Sequence, residues 1–240
     1  MDCEFSETQF VVCAMHELMN KLLPSGGWTM PFIPTQVEEK KVGYDCRLKG
    51  PVKTLFIQFK VSKKFTRKHA KHWNDFKKEY YQFKIWPDSK THQHNDLVDL
   101  ANKSAKNRVF YCAPAFISNI EFENYYTKGE VLQNSIFVDC KTLWKISGDD
   151  KHCVCFLPDP KVNPIMHSEP VEITRMDCKE VVQDIMQAES YRNLEECVYE
   201  LSQQFAEGLK EECSNYSLQG KLEAISKYLF MKKNIYLVLV

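Results

Sequence analysis

The chain has 240 residues, 44% of them hydrophobic, which suits one large domain or a domain with an appendage and supplies enough apolar surface for a buried core. Its 32 Lys and Arg balance 32 Asp and Glu, so net charge gives no global argument for nucleic acid. Ten cysteines without regular spacing, and no signal sequence ahead of them, lead us to expect a reduced cytoplasmic protein rather than a disulfide scaffold.

Taken in order, Ser6-Glu7-Thr8-Gln9 is a capping-box pattern ahead of Phe10, Met15, Leu18, Met19 and Leu22, which predicts an amphipathic helix ending by Pro24-Ser25-Gly26-Gly27. Trp28 to Pro34 reads as a short strand and Thr35 to Lys41 as a polar connector. A hairpin pattern follows. Tyr44, Cys46 and Leu48 alternate with Asp45 and Arg47, and Leu55, Ile57, Phe59 and Val61 alternate with Phe56, Gln58, Lys60 and Ser62. Gly50-Pro51 between the two runs favours a turn, so the strands are expected to pair antiparallel. With residues 50–53 as the loop, Asp45 faces Gln58 and Lys60 lies on the diagonal, with opposed Cβ atoms about 4.5–5.5 Å apart. A carboxylate, an amide and an ammonium then converge on one sheet face. Without more, this is equally an ordinary surface Asp–Lys pair, which contributes little. A carboxylate and a backbone carbonyl can also hold Mg²⁺, with a lysine beside them to orient water or stabilise phosphate charge.

Gly43-Tyr44-Asp45, followed thirteen residues later by Gln58-Phe59-Lys60 at the end of an apolar strand, resembles the active-site signature of the PD-(D/E)XK nuclease superfamily. Gln in place of the usual acid is similar to the Mrr-like restriction endonuclease branch, whose pattern reads Gly-x-Asp and then Gln-x-Lys. The resemblance implies an α/β fold with a restriction-endonuclease-like core, in which a mixed central sheet is flanked by helices. It also implies Asp45, Gln58 and the backbone carbonyl of Phe59 as ligands of Mg²⁺ or Mn²⁺, and Lys60 as the group that orients or deprotonates water or stabilises the transition state. A Glu from the first helix often joins such a site. Position near the motif favours Glu39, six residues before Asp45, whereas the helical convention favours Glu7 or Glu17; Glu39 ranks first.

Beyond the hairpin the chain turns basic. Residues 51–110 hold fourteen Lys/Arg against five Asp/Glu, directly after the candidate site, as a phosphate-binding surface requires. Lys63, Lys64, Arg67, Lys68 and Lys71 are its leading candidates, joined by His92 and His94 ahead of the next helix; a solvated Lys-rich face and a helix-capping histidine are the plainer readings. Trp73, Tyr80, Tyr81 and Trp86 interleave with Lys77, Lys78 and Lys84, a composition suited to base stacking or to a core. Tyr80 to Trp86 reads as a strand, His92 to Lys103 as a helix, and Val109 to Phe116 as a strongly apolar strand, which makes a strand-helix-strand crossover in a parallel sheet. A helical stretch around Glu121 to Leu132 leads to a strand at Ile136 to Asp139. This order resembles the nuclease core over about residues 6–145, so residues 1–145 are expected to form the core and residues 146–240 a C-terminal, mainly helical extension.

In the second part, Lys151 to Leu157 reads as a strand, Asp159 to Pro170 as a Pro-containing connector, Asp177 to Cys213 as helical, and Ile235 to Val240 as a final buried strand too short to span a bilayer. Residues 170–213 carry eleven acidic against four basic side chains, and their apolar stripe needs a surface. It packs on the core, pairs two copies as a homodimer, or meets a partner defence protein. His152-Cys153-Val154-Cys155 invites a zinc reading, but a structural site needs four ligands and no second Cys/His pair stands nearby, so strand alternation with small cysteines packed inward is the preferred account. The resemblance implies a Mg²⁺-dependent endonuclease hydrolysing DNA in preference to RNA, in restriction or anti-phage defence. The alternatives are an inactive nucleic-acid-binding module of the same fold and a protein-interaction subunit.

Overall fold

A computed structural model describes residues 1–22, 51–87, 89–167, 170–206, 209 and 216–240. Its elements in chain order are α1 (Glu7–Leu22), β1 (Thr54–Phe59), β2 (Lys63–Phe65), α2 (Trp73–Phe76), β3 (Tyr80–Ile85), α3 (Gln93–Lys103), β4 (Asn107–Pro114), α4 (Asn119–Lys128), β5 (Ser135–Asp139), β6 (His152–Phe156), β7 (Ile165–His167), β8 (Val171–Glu172), α5 (Cys178–Gln187), α6 (Leu194–Gln204), α7 (Leu218–Lys233) and β9 (Tyr236–Leu239). The fold is α/β.

The first sheet has the order β5-β4-β1-β9. β1 and β4 run parallel, with Phe56 beside Val109 and Gln58 beside Tyr111; the parallel partner of β4 is thus β1, not the Tyr80–Trp86 strand expected from sequence, which as β3 belongs to the second, antiparallel sheet. Both faces of this sheet are covered, which explains why β1 and β4 read as nearly continuous apolar runs. Leu55, Ile57, Phe59, Phe110 and Cys112 face α1 and α5, packing on Phe10, Ala14, Leu18, Val181 and Ile185. Phe56, Val109, Tyr111 and Ala113 face the other way, onto α3, α6 and α7.

The second sheet is antiparallel throughout, in the order β2-β3-β6-β7-β8. Its inner face carries Tyr81, Phe83, Ile85, Val154, Phe156 and Met166 into the same core as α3. Its outer face is poorer: Tyr80, Cys153, Cys155 and Leu157 form a small cluster under Phe65, Ala70 and Phe76.

Three expectations change. Both edges of β1 from Leu55 to Ile57 are taken, by β4 on one side and by antiparallel β9 on the other, with Leu55 against Val238 and Ile57 against Tyr236. The partner assigned to these positions from the turn signal is therefore replaced by the C-terminal strand; a period of two tells that a strand pairs, not with which strand. The connector at 159–170 contains β7, three residues long, and α7 adds a 16-residue helix that no periodicity had indicated. Residues on either side of position 145 share both sheets, since β9 completes the first and β6, β7 and β8 build most of the second. The acidic helices cover their apolar stripes within the chain, Val181 and Ile185 against α1's side of the sheet and Leu194, Cys197, Val198 and Leu201 against α3's side.

Candidate functional site

Ligands of open parallel sheets bind beyond the carboxyl ends of the strands, where the following helices present their N-termini. At that end of β1 stand Gln58, Phe59 and Lys60. Gln58 is fully buried on the α3 side of the sheet. Its amide nitrogen donates to the Phe59 carbonyl at 3.1 Å, while its amide oxygen is buried with no hydrogen-bond partner among the described residues. An unmatched buried carbonyl costs about 1–3 kcal/mol, which a bound water or a ligand at this oxygen would relieve.

Lys60 leaves the strand with its backbone N–H still bonded to the Cys112 carbonyl, 2.9 Å away. Its ammonium donates to Gln93 Oε1 at 2.9 Å, at the first turn of α3. Burial pushes this amine below the ordinary lysine value, and the nearby Glu7 carboxylate partly restores it. Gln93 is itself held: its Nε2 donates to the Lys233 carbonyl at the end of α7, at 2.7 Å. Lys233 pairs with Asp96 one turn further along α3, at 2.5 Å, and Asn234 donates to Glu7 Oε1 at 3.2 Å. Four elements thus converge on the end of β1, namely the start of α1, the start of α3, the end of α7 and β1 itself. Asn234 takes a left-handed conformation (φ 50°) that ends α7 and turns the chain into β9.

Of the residues predicted for this site, Gln58, Phe59, Lys60 and Glu7 come together. Asp45 and Glu39 lie outside the described residues. Glu17 goes elsewhere: it is buried on α1, accepts the Leu132 backbone N–H at 3.1 Å and pairs with Lys21 at 3.2 Å. Gln93, Lys233 and Asn234 were missed. Their positions, 33 or more residues from the motif, carry no local pattern.

The basic candidates divide. Lys63 is paired with Asp2 at 2.5 Å and Lys64 with Glu79 at 3.0 Å, so both spend charge locally. Arg67, Lys68 and Lys71 are exposed in the turn before α2. Lys71 lines a cleft of about 370 Å³ on the second sheet together with Lys84, Trp86, Lys90, Lys151 and His152. Trp86 is half exposed there, with the Lys90 ammonium 5.4 Å from its ring centre. Tyr80 and Tyr81 are core residues. His92 is exposed at the N-cap of α3. His94 is buried, its Nδ1 bonded to the Tyr111 hydroxyl at 3.0 Å and its Nε2 to the Trp144 carbonyl at 2.9 Å. Both ring nitrogens are engaged, which leaves none for phosphate.

On the outer face of the second sheet lies a separate cluster that sequence spacing could not assemble: His72, Cys153, Cys155 and His167, with Asp75 beside them. Comparison with protein-family models, with curated proteins and with solved structures gave no match. No helix among the described residues is long and apolar enough to cross a membrane.

Proposed function

We propose that the end of β1 is the catalytic site of a metal-dependent endonuclease that hydrolyses phosphodiester bonds, with DNA as the first substrate to test. The observation that carries this reading is the pairing of two buried, unusual groups at one strand end: the unmatched amide oxygen of Gln58 and the desolvated ammonium of Lys60, with the Glu7 carboxylate nearby. A core with no ligand has little use for either. The Gln-x-Lys resemblance gives both a role, at the end of a strand that pairs parallel with β4.

The available donors suit a hard divalent cation, because all are oxygens. Asp45, Gln58 Oε1, the Phe59 carbonyl and Glu7 would hold Mg²⁺ or Mn²⁺, which when bound lends Lewis acidity toward a phosphate oxygen. Lys60 would place its amine beside the attacking water, and burial, by disfavouring the ammonium, favours the neutral amine that can accept the water's proton. Gln93 fixes the rotamer of Lys60, and α7 fixes Gln93. The water oxygen bonds to phosphorus as the P–O3′ bond breaks, leaving a 5′-phosphate and a 3′-hydroxyl that has taken a proton. The exposed Arg67, Lys68 and Lys71, with Trp86 and Lys84 on the neighbouring sheet, offer a phosphate track and a stacking surface.

The test is incubation of the purified chain with end-labelled duplex DNA, single-stranded DNA and RNA, in Mg²⁺, Mn²⁺ and EDTA, followed by analysis of the product ends. Cation-dependent cutting with 5′-phosphate ends, absent in Asp45→Ala and Lys60→Ala, supports the assignment. Cutting that survives in Lys60→Ala overturns it, as does tight binding to the same substrates with no cutting under any cation.

A further inference from the structure

We propose that His72, Cys153, Cys155 and His167 form a closed tetrahedral site for a structural zinc ion. The register of the second sheet builds it. Cys153 and Cys155 are two apart on β6 and so share its outer face. β7 runs antiparallel to β6 with His167 directly opposite Cys153, which puts a cross-strand pair about 4.5–5.5 Å apart at Cβ. The segment entering α2 crosses over this face and lowers His72 onto it.

The distances suit one small ion. Donor atoms of His72, Cys155 and His167 all lie within 4.8 Å of one another. Cys153 Sγ lies 3.8 Å from His72 Nε2. Zinc bonds of about 2.3 Å to sulfur and 2.0–2.1 Å to nitrogen put tetrahedral S and N ligands about 3.6 Å apart, near the 3.8 Å of the Cys153–His72 pair. All four side chains are buried, which is the character of a structural rather than a catalytic site.

Without an ion the arrangement is hard to justify. The two imidazole rings lie 3.7 Å apart between centres, in an apolar cluster. Binding converts two thiols to thiolates and releases two protons, so the filled site is neutral overall, which suits its burial. Asp75 completes the design. Its Oδ2 lies 3.7 Å from His72 Nδ1 and 3.3 Å from His167 Nε2, the place of a carboxylate that orients metal-bound imidazoles.

The ion would also answer a structural need. The outer face of the second sheet has only a four-residue apolar cluster to hold down residues 66–77, and that segment carries Arg67, Lys68 and Lys71. Zinc would tie it to β6 and β7. His152, the neighbour that sequence alone groups with the cysteines, sits opposite Ile85 and so belongs to the other face.

The test is metal content and spectroscopy on the full chain. Protein purified from zinc-supplemented cells should carry about one zinc per chain, and metal-free protein titrated with Co²⁺ should develop intense visible d–d bands and a thiolate-to-cobalt charge-transfer band. Cys155→Ser and His167→Gln should lose zinc, Asp75→Asn should bind it about 10–100-fold more weakly, and His152→Gln should be unchanged. Because a ligand variant can fail to fold, the parent titration stands alone: weak octahedral cobalt spectra without charge transfer, or no bound metal, overturn the proposal. So does zinc retained in soluble His167→Gln, or lost in soluble His152→Gln.

Discussion

Lys60 Nζ donates to Gln93 Oε1 across 2.9 Å, joining the end of β1 to the first turn of α3, although the two lie 33 positions apart with two strands between them. The bond fixes this ammonium in a position where burial works against its charge. The lysine therefore weakens the fold at neutral pH, and such a residue is expected where function needs it.

That cost gives the first prediction. A lysine whose folded pKa lies below 10.5 binds protons less readily folded than unfolded, so the penalty is fully present below the folded pKa and fades as pH rises toward 10.5. Lys60→Met should thus melt no lower than the parent at pH 7, and any gain should shrink toward pH 10.5. The same variant should lose cleavage by roughly 10²-fold or more, as removal of a positioned proton-transfer or charge-stabilising group does. A Lys60→Met that is both active and destabilised would refute the role.

Gln93 touches no substrate in this scheme and acts through Lys60. Gln93→Leu should lower kcat about tenfold with little change in KM, since a misplaced catalytic group costs rate more than binding. The pH at which activity rises should also move, because the Lys60 amine loses its acceptor. An unchanged pH profile with reduced kcat would mark Gln93 as merely structural.

The two helical glutamates separate cleanly. Glu7 lies near Lys60, and Glu7→Gln should raise the Mg²⁺ concentration needed for half-maximal cutting while leaving the melting temperature nearly unchanged. Glu17 holds the Leu132 N–H from a buried position, so Glu17→Gln should leave activity per folded molecule intact and cost about 1–3 kcal/mol in denaturant unfolding. A reversal of the two phenotypes would move the site to the other end of α1.

His94 tests the boundary between core and site. With both ring nitrogens engaged, His94→Phe leaves the Tyr111 hydroxyl and the Trp144 carbonyl unmatched, at a cost of about 1–3 kcal/mol. DNA affinity should not change. Weakened, salt-dependent DNA binding in a fully folded His94→Phe would restore it as a phosphate contact.

How much of this could be read beforehand depended on range. Period-two and period-3.6 patterns located β1, β3, β4, β5, β6, α1 and α3 closely, because burial on one or two faces imprints directly on local sequence. Partner choice left no such imprint. β9 displaced the expected neighbour of Leu55–Ile57 although its apolar run was recognised as a strand. Gln58 and Lys60 stood out because polar residues interrupt an apolar pattern, whereas Gln93 and Asn234 look like ordinary helix-terminal residues and acquire meaning only from what they bond. The Cys153-x-Cys155 pair was visible. Its histidines were not, since His72 lies 81 residues before Cys153 and His167 reaches it through the β6–β7 register.

The most direct measurement is cleavage of supercoiled plasmid in Mg²⁺ by the parent and by Lys60→Ala, compared at equal folded concentration established by circular dichroism. Nicked and linear product from the parent, abolished by EDTA and reduced roughly 10²-fold or more in Lys60→Ala, is the predicted result. Equal rates in the two proteins, or no cutting by a folded parent in either Mg²⁺ or Mn²⁺, would contradict a catalytic site at the end of β1.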